Sequence, residues 1–245
     1  MEKQKIFVVS DIHGHCSILK EALKNAGFEK ENEKHLLVCC GDYFDRGNEN
    51  YETLKFFERL KHKVLLRGNH EDLLLKLLHT GKIQPHHYIN GTMNTLEEFF
   101  GKYFVDPADD TIDFSGKTGT VDRICEFING TVDYFQTENY VFVHGWLPQN
   151  CFTSNDLKNA TKHQWSDARK IRWTEKYCDK RPLTDKTLVC GHMPTFYANM
   201  GDKSKNIYDI FYGNGLIAID AGTADTKHIN VLVLEDTLCE SKKDI

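Results

Sequence analysis

No stretch of this 245-residue chain approaches the length of apolar sequence needed to span a bilayer, so a membrane-embedded role is not expected. An excess of charge is also missing. The 31 basic and 36 acidic residues leave a formal net charge of −5, with neither sign gathered into a block, and that balance points to neither a nucleic acid nor an anionic membrane as partner. There is no internal repeat and no low-complexity tract. The opening residues MEKQKIFVVSD enter an apolar run at once and leave no room for the sections of a signal peptide, so the expectation is a cytoplasmic protein. Cysteine is present, eight times, but not where bridges would be. Cys39 and Cys40 are adjacent in one apolar run and Cys190 lies in another, places that suit small buried residues. Without a secretory route the sequons at Asn90, Asn129 and Asn159 carry no meaning.

What is present is order. Apolar runs at 6–9, 36–40 and 63–66 alternate with helical patterns: Ile18, Leu19, Ala22, Leu23 and Ala26 before Gly27, then Tyr51, Leu54, Phe57 and Leu60. This predicts a βαβαβ opening with parallel strands and right-handed crossovers. A third helix follows in DLLLKLLHTG, with Glu71 and Asp72 complementing its positive end. Residues 80–135 are punctuated by glycine and proline and hold short helical candidates at 95–100 and 121–128. We read them as a helical cap inserted into a single folding unit, 1–245. Another irregular stretch, 146–186, holds a helical candidate around 155–170, and strands are expected at 140–143, 187–190, 207–212, 215–219 and 229–234. The last four look like a second sheet.

Five of the apolar runs end in metal-seeking side chains: SDIHGH at 10–15, GDYFDRG at 41–47, GNHE at 68–71, HG at 144–145 and GH at 191–192. Strand ends are where active sites of open α/β sheets lie. One DxH or one GNHE is a weak signal; five in order, each after an apolar run, specify a two-metal phosphoester hydrolase. Two cations about 3.5–4 Å apart can hold both the attacking and the leaving oxygen of an in-line displacement, and the hydroxide bridging them is the expected nucleophile. Asp42 is the bridging candidate. Asp11 and His13 would join it on the first ion, and Asn69, His144 and His192 on the second. Mixed oxygen and nitrogen ligation suits Mn, Fe or Zn rather than Ca or Mg. His70, with Asp45 to orient it, is the expected general acid for the leaving group. Arg46 can take two phosphate oxygens with its planar fork, or simply pair with Asp45.

These residues and spacings closely resemble the calcineurin-like metallophosphoesterases, in particular the phosphoprotein phosphatase branch with its bacterial and phage serine/threonine phosphatases. The likeness is carried by residues 6–80 and by spaced anchors over 138–234; nothing specific matches in 80–135. It implies a fold of two packed mixed β-sheets flanked by helices, His144 and His192 on the second metal, and a second phosphate-binding arginine between the last two histidine motifs. Arg169 and Arg172 in WSDARKIRW both qualify, and Arg172 is preferred. The sequence departs from the pattern at His15, where many eukaryotic members have glutamine, and at Trp146 after HG.

The expected activity is hydrolysis of phosphomonoesters, with phosphoserine or phosphothreonine in proteins, or a small phosphoester, as substrate. Symmetrical hydrolysis of dinucleoside polyphosphates such as diadenosine tetraphosphate is the competing reading. A non-catalytic binding protein on the same fold would lack ligands or the general acid, and all are present. His35, His62, His79, His163 and His228 are expected to be packing or surface residues and the His86–His87 pair to mark a polar loop, while His15 has no role that the sequence assigns.

Overall fold

The computed structural model describes residues 3–101, 105–106, 110–172, 181–200 and 206–239. In chain order the elements are β1 (Lys3–Val9), α1 (Cys16–Asn25), β2 (His35–Cys39), α2 (Asn50–Arg59), β3 (Lys63–Leu65) and α3 (Asn69–Thr80). Two further helices, α4 (Pro85–Ile89) and α5 (Thr92–Phe100), precede a short hairpin of β4 (Val105–Asp106) and β5 (Thr111–Ile112), then α6 (Thr118–Asn129). Next come β6 (Phe135–Gln136), β7 (Tyr140–Phe142), α7 (Lys162–Ala168), β8 (Thr187–Cys190), β9 (Phe211–Gly213), β10 (Leu216–Ala218) and β11 (Leu232–Thr237).

Two mixed sheets pack together, ordered β11-β1-β2-β3 and β6-β7-β8-β10-β9. The inner strands β1, β2, β8 and β10 are apolar on both faces where both faces are covered. Along β1, Ile6 and Val8 face the second sheet, where they join Phe142, Val189 and Ile217, while Phe7 and Val9 face the helical side with Leu19, Leu37, Leu54 and Phe57. Each such buried side chain contributes about 1.5–3 kcal/mol, and a one-residue slip would exchange the two faces. The same alternation separates Cys39, on the helical side, from Cys40, between the sheets. Among the described residues no disulfide links the cysteines.

Several expectations shift. The last expected strand lies three residues later, and it does not extend the second sheet. It pairs antiparallel with β1, Lys3 opposite Thr237 and Ile6 opposite Leu234, and so covers the exposed edge of the first sheet. The helix around 155–170 is broken into a 3-10 turn at Asp156–Asn159 and α7. Thr161 restarts it, its hydroxyl accepting from the Gln164 N–H. The strand expected at 207–212 is confined to β9, and the segment 80–135 includes a hairpin besides helices. Trp173, at the end of WSDARKIRW, lies outside the described residues.

Candidate metal centre and active site

The ends of β1, β2, β3, β7 and β8 bring their loops to one place. Asp11, His13, Asp42, Asp45, Arg46 and His192 all have positive φ, between 47° and 74°. Such backbone costs about 1–3 kcal/mol per residue and persists where the surroundings over-determine it. Glycine makes the approach possible: a Cβ on Gly41 would lie 2.6 Å from the Gly68 nitrogen and 2.9 Å from His144 Nδ1.

Asp42 is the centre. Its Oδ2 lies 3.7 Å from His13 Nε2 and 3.8 Å from His70 Nε2, and its Oδ1 lies 3.5 Å from His144 Nε2. Two groups capable of holding an ion share it: His13, Asp42 and His70, and Asp42, His144 and His192. Asn69 Oδ1 is 2.9 Å from His144 Nε2. Asp11, expected on the first ion, is in neither group; its Oδ2 accepts from the His192 N–H at 2.9 Å.

The imidazoles are aimed by their other nitrogen. His144 Nδ1 donates to the Cys40 carbonyl at 2.7 Å and His13 Nδ1 to the Phe44 carbonyl at 2.9 Å, which turns each Nε2 toward Asp42. Burial, then Arg46 and His70, hold His13 well below its ordinary pKa; burial and His144 bring His192 down to about 3. Burial alone would neutralise Asp42, but the surrounding imidazoles, His144 first, outweigh it and keep the carboxyl well below the usual range. Imidazole nitrogens, an amide oxygen and a carboxylate are the donor set that transition-metal ions of the Mn, Fe and Zn kind accept. The residues therefore fit a pair of such ions.

His70 is different. Its Nδ1 donates to Asp45 Oδ2 at 2.7 Å. Burial pushes the imidazole down, yet Asp42 and the bonded Asp45 lift it to about 9.

Two residues have more to do than the sequence suggested. Glu71, expected only to complement a helix dipole, is wholly buried; Oε2 accepts from the Asp42 and Gly68 N–H groups and Oε1 from that of Tyr43, all at 2.9 Å. It ties the second motif to the third. Burial, reinforced by Asp42, lifts its pKa to about 7. Asp72 meets the arginine that competed for phosphate: Arg169 donates through Nε and Nη2 to Asp72 Oδ2 at 2.9 and 2.8 Å, and through Nη1 to Asp133. Arg169 is buried with its fork engaged, whereas Arg172 is exposed beside Met193, the residue after His192. Arg46 is exposed as well. Asp220, which no motif announced, is buried near Asp11; burial and then the Asp11 charge raise its pKa well above the carboxylate range. His87 is buried in a helix rather than lying in a polar loop.

The sequence profile of the calcineurin-like phosphoesterase family matches residues 4–222. Serine/threonine-protein phosphatase 2 of Salmonella typhimurium is 39% identical over 75 residues, 31% of this chain and 33% of that protein. The chain thus aligns with about a third of the length of the bacterial serine/threonine phosphatases it matches. A longer alignment, 22% identical over 236 residues and covering 87% of each chain, joins it to the asymmetrical bis(5'-nucleosyl)-tetraphosphatase PrpE of Oceanobacillus iheyensis. Among solved structures, a protein serine/threonine phosphatase from Saccharomyces cerevisiae shares the fold with a TM-score of 0.58 at 14% identity, over 98% of this chain and 82% of that one. The strand-end motifs, the paired sheets and the profile agree, and the chain belongs to the calcineurin-like phosphoesterase family.

Proposed function

We propose that this chain is a metal-dependent phosphatase that hydrolyses phosphomonoesters, with phosphoserine or phosphothreonine in proteins as its substrate. One observation carries the reading. Asp42 is shared by two groups of side chains able to hold an ion, and three residues later Asp45 accepts from Nδ1 of His70, whose Nε2 lies 3.8 Å from Asp42 Oδ2. In this reading Asp11, His13 and Asp42 hold one ion and Asp42, Asn69, His144 and His192 the other, Mn, Fe or Zn. When bound, the pair supplies Lewis acidity toward the phosphoryl oxygens and a water made nucleophilic near neutral pH. The chain's own residues do the rest. Arg46 and Arg172 take the non-bridging phosphate oxygens, Arg169 being engaged by Asp72 and Asp133. His70 delivers a proton from Nε2 to the departing oxygen, and Asp45 holds Nδ1–H so that Nε2 stays aimed.

The full-length likeness to a bis(5'-nucleosyl)-tetraphosphatase favours a second reading, hydrolysis of dinucleoside polyphosphates by the same groups. Purified protein assayed with manganese against a phosphopeptide panel and diadenosine tetraphosphate separates the two. Faster turnover of phosphopeptide is expected, and much faster turnover of the dinucleotide would replace the first reading by the second. Elemental analysis should find about two ions per chain; a single ion would remove the bridging assignment of Asp42.

A further inference from the structure

Asp45 is held from a direction that the five motifs do not include. Thr92 Oγ1 donates to its Oδ2 at 2.9 Å and Thr95 Oγ1 to its Oδ1 at 2.8 Å. The Thr95 hydroxyl also accepts from the Asp45 N–H at 2.9 Å, a proton it shares with Asn50 Oδ1. Both threonines are wholly buried, and both come from the first turns of α5, inside the segment that matched no family motif. The same helix reaches the next residue, with Asn94 Nδ2 donating to the Arg46 carbonyl at 3.0 Å. A Cβ on Gly91 would lie 2.7 Å from the Arg46 Cα. Glu98, one turn further, accepts from Asn50 Nδ2 at 2.7 Å and from the Tyr51 N–H at 3.0 Å.

A buried threonine in a helix ordinarily returns its hydroxyl to the carbonyl three or four residues back. These two send theirs to a carboxylate some fifty residues away in sequence. A carboxylate has about four acceptor positions; with His70 Nδ1 as the third donor, the Asp45 plane cannot rotate without losing a bond. Asp45 and Arg46 sit at φ 74° and 64°, a backbone that relaxes unless something over-determines it.

We propose that α5 is the positioning element of the proton donor: Thr92 and Thr95 fix the Asp45 carboxylate so that its Oδ2 holds His70 Nδ1–H and keeps Nε2 directed at the leaving oxygen. The proposal rests on the assignment of His70 as general acid. Thr92 and Thr95 are positioning residues and touch no substrate.

The test compares two esters with the manganese-loaded enzyme: phenyl phosphate, whose leaving oxygen needs a proton, and a dinitrophenyl phosphate, whose leaving oxygen does not. Isosteric Thr92→Val and Thr95→Val, singly and together, should lower kcat/KM for phenyl phosphate by about ten- to a hundredfold, part of the 10²–10⁴ that a general acid supplies. On the dinitrophenyl ester they should change it by less than about threefold. Thr92→Ser and Thr95→Ser keep the hydroxyl and should keep the rate. Equal losses on both esters, no loss on either, or serine variants as impaired as the valine ones would overturn the proposal. Thermal unfolding and metal content confirm that each variant is folded and loaded, and the single variants decide if the double one is not. His70→Asn is the control. If it shows no leaving-group dependence, the general-acid assignment itself fails; if it does and the valine variants do not, only the positioning role of α5 falls.

Discussion

Asp42 and Asp45 lie three residues apart in one loop, both buried, and they meet opposite surroundings. Four imidazoles surround Asp42, and the backbone that carries it is gripped by the Glu71 carboxylate. Asp45 meets one imidazole and two neutral hydroxyls, and its grip comes from helix α5. The contrast matches the two tasks proposed for this one short loop. Soft, aimed nitrogen donors around a carboxylate make a place for cations, whereas directional hydroxyls make a rigid acceptor for a single proton-bearing ring.

The sharpest way to break this contrast is to neutralise each carboxylate in turn. Asp42→Asn should abolish turnover by several orders of magnitude and reduce bound metal below two ions per chain, read by elemental analysis of the same preparation. Asp45→Asn should leave metal content intact and lower kcat by about 10²–10⁴ on esters with poor leaving groups; loss of metal from this variant would merge the two poles into one. Glu71→Ala leaves the N–H groups of Asp42, Tyr43 and Gly68 buried without an acceptor, at about 1–3 kcal/mol for each group left unpaired. A fall in stability of a few kcal/mol by urea unfolding is the expected result.

The two arginines should separate by readout. Arg169→Met should cost about 1–3 kcal/mol of stability, since Asp133 and Asp72 lose the guanidinium between them, Asp72 keeping Arg67 and Ser166 nearby and both remaining partly solvated. Arg172→Ala should leave stability unchanged and lower kcat/KM about ten- to a hundredfold, as a lost charge-assisted phosphate contact does. The smallest effect is expected behind Asp45, at His87 in α4. Burial, then the neighbouring His86, holds its pKa near 4 against an ordinary 6.5, with Asp45 pulling the other way and Lys76 adding to the depression. On acidification the unfolded chain takes up this proton first, so the stability contribution is complete above pH 6.5 and is lost as pH falls toward 4. His87→Gln should flatten the melting-temperature profile across that window and leave it unchanged above.

The first pole was far easier to read from sequence than the second. A metal site needs particular side chains at strand ends, and Asp11, His13, Asp42, Asn69, His144 and His192 declare themselves by type and by the apolar runs before them. Thr92 and Thr95 declare nothing, because a threonine in a helix is compatible with many roles and its partner is fixed only by tertiary packing. Arg169 and Arg172 are three residues apart, and only the positions of Asp72 and Asp133 tell a clamp from an exposed cation. The misplacement of β11 has a similar origin: an alternating apolar pattern states that a strand forms, not which edge it joins.

That edge has a consequence for how the molecule comes into being. Lys3 pairs with Thr237, so β1 must wait for a strand made far later in the chain before one flank of its hydrogen-bonding groups is covered. During synthesis the strand that delivers Asp11 and His13 presents an open edge next to its apolar face, the condition under which chains pair with the wrong neighbour. Contacts of such long sequence separation close slowly. The arrangement that completes the first sheet is therefore also the interval in which the nascent chain depends most on being left alone.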